Sequence, residues 1–95
     1  HYSAAKAGVN ALTLTMAMEL APRIRVNGVA PGMVPTEVMM TALDMDVPAL
    51  EKVAEARMPL KRLCTPDDIA AAALYLASDA GSWVTGQIIT VAGGM

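Results

Sequence analysis

Phenylalanine is missing from this 95-residue sequence, and Tyr2, Tyr75 and Trp83 are its only aromatic residues. Seven Lys and Arg stand against nine Asp and Glu, for a net charge of −2. With no stacking platform and no basic stripe, the chain lacks the two features by which proteins hold nucleic acid. Cys64 is the only cysteine. No internal disulfide can form, which fits a reducing compartment. A single His and a single Cys do not make a zinc site of the usual kind, so no metal is expected. The longest apolar run, Ile69 to Ala77, is far too short to span a bilayer, and no secretory leader is read in the chain. A cytoplasmic protein without a membrane partner is the expectation.

What is abundant is apolar surface. The sequence is 55% hydrophobic, with a mean hydropathy of +0.44. A small domain has much surface to cover and little interior to fill, so the excess must be covered by further protein or by copies of the chain. His1 is no natural initiator, and Tyr2 opens what reads as the middle of a motif. The expectation is a fragment.

The chain alternates helical and strand patterns. Ser3 to about Leu20 carries no Pro and many helix formers, and Pro22 closes it. Val9, Leu12, Met16 and Leu20 fall on one side of that helix, Leu14 and Met18 on another, so it should be covered on two faces. Ile24 to Ala30 is a short β-rich run stopped by Pro31-Gly32. Residues 33–47 read as irregular, and Pro48 to Arg57 as a short helix broken by Pro59. Thr65-Pro66-Asp67-Asp68 is a strong helix start, with Thr65 at the N-cap, Pro66 at the first helical position and two carboxylates at the positive end of the dipole. That helix runs to about Ser78. Gln87 to Val91 is a second strand, ended by Gly93-Gly94. A strand, a helical crossover and a strand make a parallel pair, so the class is α/β. Two strands alone make no stable sheet, which points again to a missing N-terminal portion.

Chemistry first shows in Tyr2 and Lys6. Four residues apart on a helix, they share one face. A phenol has a free pKa of about 10. A nearby ammonium favours the phenolate and brings proton exchange toward neutral pH. Such a pair can pass a proton to and from a carbonyl oxygen, although a half-buried Tyr and a solvated Lys on a surface helix would read the same.

The order of features around that pair resembles the short-chain dehydrogenase/reductases, a Rossmann-type family. Tyr2-Ser3-Ala4-Ala5-Lys6-Ala7-Gly8 resembles the active-site helix, and Ile24 through Gly32 resembles the sixth strand and its Pro-Gly turn. Pro59-Leu60-Lys61-Arg62 with Pro66 to Ala70 resembles the entry to the last large helix, and Thr85-Gly86-Gln87 through Gly94 the final strand. The resemblance implies the C-terminal part of a doubly wound parallel sheet over residues 1–95, with two strands and two main helices, the N-terminal cofactor-binding half being absent. It implies an NAD- or NADP-dependent oxidoreductase that interconverts a secondary alcohol and a ketone, similar to hydroxysteroid dehydrogenases or 3-oxoacyl-carrier-protein reductases. In the enoyl-reductase branch of the fold the Tyr and Lys usually sit further apart, which disfavours that branch.

The same resemblance assigns roles. Tyr2 would be the general acid/base and would stand among the cofactor-binding residues. Lys6 would favour its phenolate and bind the nicotinamide ribose. Pro31 and Gly32 would bring the backbone close to the nicotinamide, where a Cβ would obstruct. Val34 would offer backbone groups to the carboxamide, and Thr36 its hydroxyl. Plainer readings stand beside these: Pro31-Gly32 as a turn only, Thr36 as a helix cap before Glu37. Asn27 reads as a strand residue that ties neighbouring backbone. Met33, Met39 and Met40 fall in the substrate loop. There they either contact an apolar alcohol or ketone, such as a steroid or fatty acyl chain, or fill gaps under the loop. Cys64 and Ala92 depart from the family pattern: Cys64 stands where Gly is common and would be strained at positive φ, and Ala92 where Asp or Asn is frequent. The first helix and the last helix and strand would build a homotetramer. The alternative is a non-catalytic truncated piece that keeps only those assembly surfaces.

Overall fold

A computed structural model describes residues 2–94, with position 2 described by its backbone alone. The elements follow the order α1 (Tyr2–Leu20), β1 (Gly28–Pro31), α2 (Glu37–Leu43), α3 (Val47–Arg57), α4 (Pro66–Ala77), a 3-10 turn (Asp79–Gly81) and β2 (Ile88–Val91). β1 and β2 pair directly. The Gly28 N–H donates to the Gln87 carbonyl at 2.8 Å and the Gly32 N–H to the Val91 carbonyl at 2.7 Å, so the residues advance together on both strands and the pair is parallel. The α/β class holds. The chain divides into two compact units, residues 1–30 with 72–89 and residues 31–71 with 90–95.

In the first unit, α1 runs 19 residues without interruption. Its buried positions there are Thr13 and Ala17, one turn apart. They are not the Leu and Met stripes that the apolar pattern singles out. The Thr13 hydroxyl is satisfied by the Val9 carbonyl at 2.8 Å. Small side chains serve because the Gly86 turn, at φ +73°, comes close to Leu14 and Ala17. Val9, Leu12, Leu14 and Met18 stay exposed on α1, as do Leu74 and, at 98%, Trp83 elsewhere in this unit.

The expected strand from Ile24 shrinks to four residues, because the groups before Gly28 bond to a loop rather than to a strand. The Val26 N–H donates to Thr85 Oγ1 at 3.0 Å, and the Gly86 N–H donates to the Val26 carbonyl at 2.7 Å. Asn27 ties this loop twice: its Nδ2 donates to the Val84 carbonyl at 2.9 Å, and its Oδ1 accepts from the Gln87 N–H at 3.0 Å. Arg25 adds a third tie, donating to the same Val84 carbonyl at 3.1 Å.

The second unit holds a core of Leu50, Ala54, Met58 and Leu63, against which Met33, Met39, Met40 and Met45 pack half-buried. Residues 33–47 are not irregular throughout, since α2 lies within them and adds a fourth helix to the two main helices and the short one that were expected. Asp46 caps α3, its Oδ1 accepting from the Ala49 N–H at 3.0 Å, with Pro48 in the first turn where a missing N–H costs nothing. Pro59 follows the end of that helix, as expected. No described helix is long and apolar enough to cross a membrane.

Candidate active site

Pro31, the last residue of β1, and the five residues that follow it to Thr36 form a short connector. Pro31 ends the strand, where the lack of an N–H is tolerated. Gly32 follows, and the reason for glycine lies inside the chain: a Cβ there would stand 2.7 Å from the Ala92 α-carbon and 3.1 Å from its β-carbon. The close approach is backbone to backbone, across the ends of the two strands, so the glycine is required before any ligand is considered. This also accounts for the small residue at position 92.

The Met33 carbonyl accepts from the Cys64 N–H at 3.1 Å, and the Val34 carbonyl from the Thr36 N–H at 2.8 Å, a three-residue turn centred on Pro35. Thr36 then caps α2 in extended conformation, its Oγ1 accepting from the Met39 N–H at 3.1 Å. The cap reading of Thr36 is therefore realised. It leaves the hydroxyl proton to donate elsewhere. α2 is closed at its C-cap Asp44, whose N–H donates to the Met40 and Thr41 carbonyls and whose left-handed φ of 52° turns the chain so that the Met45 N–H also reaches the Met40 carbonyl, at 3.1 Å.

Met33, Met39 and Met40 all lie against the core of this unit, the position expected of gap-filling side chains, and each keeps part of its surface in solvent. Unbranched thioethers suit such a half-packed layer.

Lys6 belongs to the other unit, exposed on α1. The helix includes positions 2 and 6 without a break, one turn apart on the same face. The Tyr2 side chain lies outside the described residues, as do His1 and Met95.

Sequence reading did not find the most heavily bonded polar cluster of the second unit. Arg62 grips Asp68 with its two terminal guanidinium nitrogens, Nη1 and Nη2, at 2.7 and 3.1 Å. The Asp68 carboxylate also accepts from the Thr65 N–H at 2.8 Å and the Thr65 hydroxyl at 3.0 Å, while the Asp68 N–H donates back to Thr65 Oγ1 at 3.2 Å. This is a reciprocal capping box with Asp at the third helical position. Arg62, then the Thr65 backbone and hydroxyl donors, hold the Asp68 carboxyl well below the usual carboxylate range. The signal was present as Thr65-Pro66-Asp67-Asp68, but nothing local says that the partner lies six residues back. Cys64 is not at positive φ; that conformation falls on Lys61, at 61°. The strain expected at Cys64 is therefore absent.

A nicotinamide ends in a carboxamide, which offers one carbonyl oxygen and two N–H donors. The connector fits it. Among the described residues the Val34 N–H has no partner, the Val34 carbonyl keeps its second lone pair, and the Thr36 hydroxyl keeps its proton.

A family model described as Enoyl-(Acyl carrier protein) reductase matches residues 1–95. The 7alpha-hydroxysteroid dehydrogenase of Escherichia coli K12 is 44% identical over 94 residues, which are 98% of this chain and 36% of that protein. The 3-oxoacyl-(acyl-carrier-protein) reductase of Thermotoga maritima is 44% identical over 103 residues, 100% of this chain and 37% of that protein. The chain thus spans little more than a third of the relatives it matches. Among solved structures, a 7 alpha-hydroxysteroid dehydrogenase complexed with NADH and 7-oxo glycochenodeoxycholic acid superposes with a TM-score of 0.84 at 44% identity, over 98% of this chain and 36% of that one. An NADPH-bound short-chain oxidoreductase from Pseudomonas aeruginosa, with an atypical catalytic centre, gives 0.86 at 38% identity, over 98% and 37%. With the parallel strand pair and the Tyr-x-x-x-Lys helix, these matches settle the family: the chain belongs to the short-chain dehydrogenase/reductases.

Proposed function

We propose that this chain is the C-terminal portion of an NAD(P)-dependent oxidoreductase that interconverts a secondary alcohol and a ketone, with Tyr2 as general acid/base and Lys6 assisting. The observation that carries the reading is the unbroken helix through positions 2 and 6. It gives a phenol and an ammonium one face and one turn of separation. That spacing is also why a ketone or alcohol is preferred over an enoyl substrate.

A bound nicotinamide supplies or takes the hydride at the substrate carbon. The residues of this chain serve the proton transfer and the nicotinamide end. The Tyr2 hydroxyl gives its proton to the carbonyl oxygen in reduction and recovers a proton from the alcohol in oxidation. Lys6 favours the phenolate left behind and hydrogen-bonds the ribose. Val34 offers its N–H and a carbonyl lone pair to the carboxamide, Thr36 offers its hydroxyl proton, and Pro31 and Gly32 set where that backbone begins. Met33, Met39 and Met40 give the loop an adaptable apolar wall, suited to a steroid or fatty acyl chain. The names of the hydroxysteroid and 3-oxoacyl relatives support that class. The exposed apolar side chains of α1, together with Leu74 and Trp83, support a homotetramer built through α1, α4 and β2.

The test is Tyr2→Phe in the polypeptide that carries these residues. The variant should lose about a hundredfold or more in kcat on a secondary alcohol, with the NADH dissociation constant unchanged. Turnover within a few-fold of the parent would remove Tyr2 from the chemistry.

A second reading rests on the same exposed apolar surface: these residues alone form an assembly piece without activity. Intact mass spectrometry separates the two, since a longer polypeptide that turns over substrate excludes it.

A further inference from the structure

We infer that Arg62, Thr65 and Asp68 are positioning residues for the Met33–Thr36 connector. The inference rests on the reading of that connector as the carboxamide site.

The connector is held from one side by the segment that precedes α4. That segment touches the chain just beyond each strand: the Cys64 N–H donates to the Met33 carbonyl at 3.1 Å, and the Leu60 N–H donates to the Gly93 carbonyl at 3.1 Å. Besides these, the Lys61 N–H donates to the Met58 carbonyl at 2.9 Å. Lys61, Arg62 and Thr65 are exposed, Lys61 sits at a left-handed φ of 61°, and Met33, Arg62, Cys64 and Ala92 line a cavity of about 80 Å³ beside the Cys64–Met33 bond. Close packing therefore does not fix the Cys64 N–H over Met33. Leu63 anchors one point by burial. The remaining definition comes from hydrogen bonds converging on Asp68. Its carboxylate takes the Thr65 N–H, the Thr65 hydroxyl and both terminal nitrogens of Arg62, and Arg62 reaches back to the Leu63 carbonyl at 3.0 Å. The residues on either side of Cys64 are thus tied to one carboxylate on the first turn of α4. Cys64 in turn fixes Met33, and Met33 is bonded directly to Val34.

A hydrogen-bonded frame of this kind matters where two donors must meet a small planar group. Displacing the Val34 N–H and the Thr36 hydroxyl by a fraction of an ångström weakens binding of the nicotinamide end and leaves the adenosine end untouched.

The experiment uses Asp68→Ala, Arg62→Lys and Asp68→Glu in the polypeptide that carries this chain. Two measurements are made: amide hydrogen exchange, and the dissociation constants of NADH and of ADP-ribose, which lacks the nicotinamide. In Asp68→Ala the Cys64 and Thr36 amides should exchange about tenfold faster while the Ala54 amide in α3 keeps its rate. NADH should bind about five- to tenfold more weakly, with ADP-ribose unchanged. Arg62→Lys keeps the charge but loses the two-pronged grip, and should give a smaller shift of the same kind. Asp68→Glu restores a conventional capping box and should return both measurements toward the parent.

Unchanged exchange at Cys64 in both Asp68→Ala and Arg62→Lys would overturn the inference. So would equal weakening of NADH and ADP-ribose, which marks a general loss of fold. If the parent binds neither NADH nor NADPH, the carboxamide reading falls on its own, and the exchange rates alone decide whether the frame holds the connector.

Discussion

The α-carbon of Ala92 occupies the ground that a side chain on Gly32 would need. A β-carbon built on Gly32 lies 2.7 Å from it. Both residues sit just past their strands, where the Gly32 N–H still bonds the Val91 carbonyl. Relief would require one strand end to move, and strand ends set the start of the connector.

Gly32→Ala should therefore destabilise the protein by about 1–3 kcal/mol, the range for an overpacked site, read as a lower midpoint in urea or heat. The informative variant is the double one. Ala92→Gly removes the contact at 3.1 Å but leaves the α-carbon in place. Gly32→Ala with Ala92→Gly should consequently recover only a small part of the loss. Full recovery would show that the side chain, not the backbone, enforces glycine.

Local grammar was legible in the sequence, and non-local bonding was not. Thr65-Pro66-Asp67-Asp68 announces a helix start because capping is decided within one turn, and α4 begins at Pro66. Pro22 and Pro59 end helices for reasons written in their own rings. Asn27 is legible as a backbone tie, and its two bonds bear that out, although it stands just before β1 and not within a strand. By contrast, α2 reads as loop because seven residues are too few to show a helical period, and its cap Thr36 is the only local sign of it. The shortening of β1 depends on Val84, Thr85 and Gln87, far along the chain. The Arg62–Asp68 pair is invisible for the same reason: each residue alone looks like a solvated charge. The four methionines of residues 33–45 read equally as lining for a ligand or filler for a core, and their half-buried packing against Leu50, Ala54, Met58 and Leu63 depends on residues that no local pattern points to.

Lys61 carries a backbone conformation that suits glycine. Its φ is 61°, and its N–H closes a turn back to the Met58 carbonyl at 2.9 Å, with Pro59 in the second position of that turn. A side chain in the left-handed region costs roughly 1 kcal/mol, and glycine is favoured at the last position of such turns. Lys61→Gly should raise stability by about 0.5–1 kcal/mol after the extra freedom of glycine in the unfolded chain is subtracted. Lys61→Val should lower it by a similar or larger amount, since β-branched residues fit this region worst. Paired thermal melts of the two variants check the sign in both directions.

Asp68 makes stability depend on acid in one direction. Its folded carboxyl is held down, first by the two hydrogen bonds from Arg62, then by the Thr65 N–H and the Thr65 hydroxyl. The Arg62 guanidinium is pushed up by the same contact and stays charged throughout. In the unfolded chain Asp68 returns to an ordinary value of about 3.9. Below that point the unfolded chain binds a proton that the folded chain refuses, so stability falls as pH falls. The contribution is complete above about pH 5 and declines progressively on the acid side. Asp68→Asn removes the titrating group, and its unfolding midpoint should lie below that of the parent at pH 7 and draw closer as the pH is taken toward 3. Arg62 and Asp68 are partly open to solvent, with 57% and 28% of their side chains exposed. Added salt should therefore shrink the difference at pH 7. A gap between parent and Asp68→Asn that stays constant from pH 7 to pH 3 would mean that the carboxylate charge contributes nothing and that shape alone holds the cap.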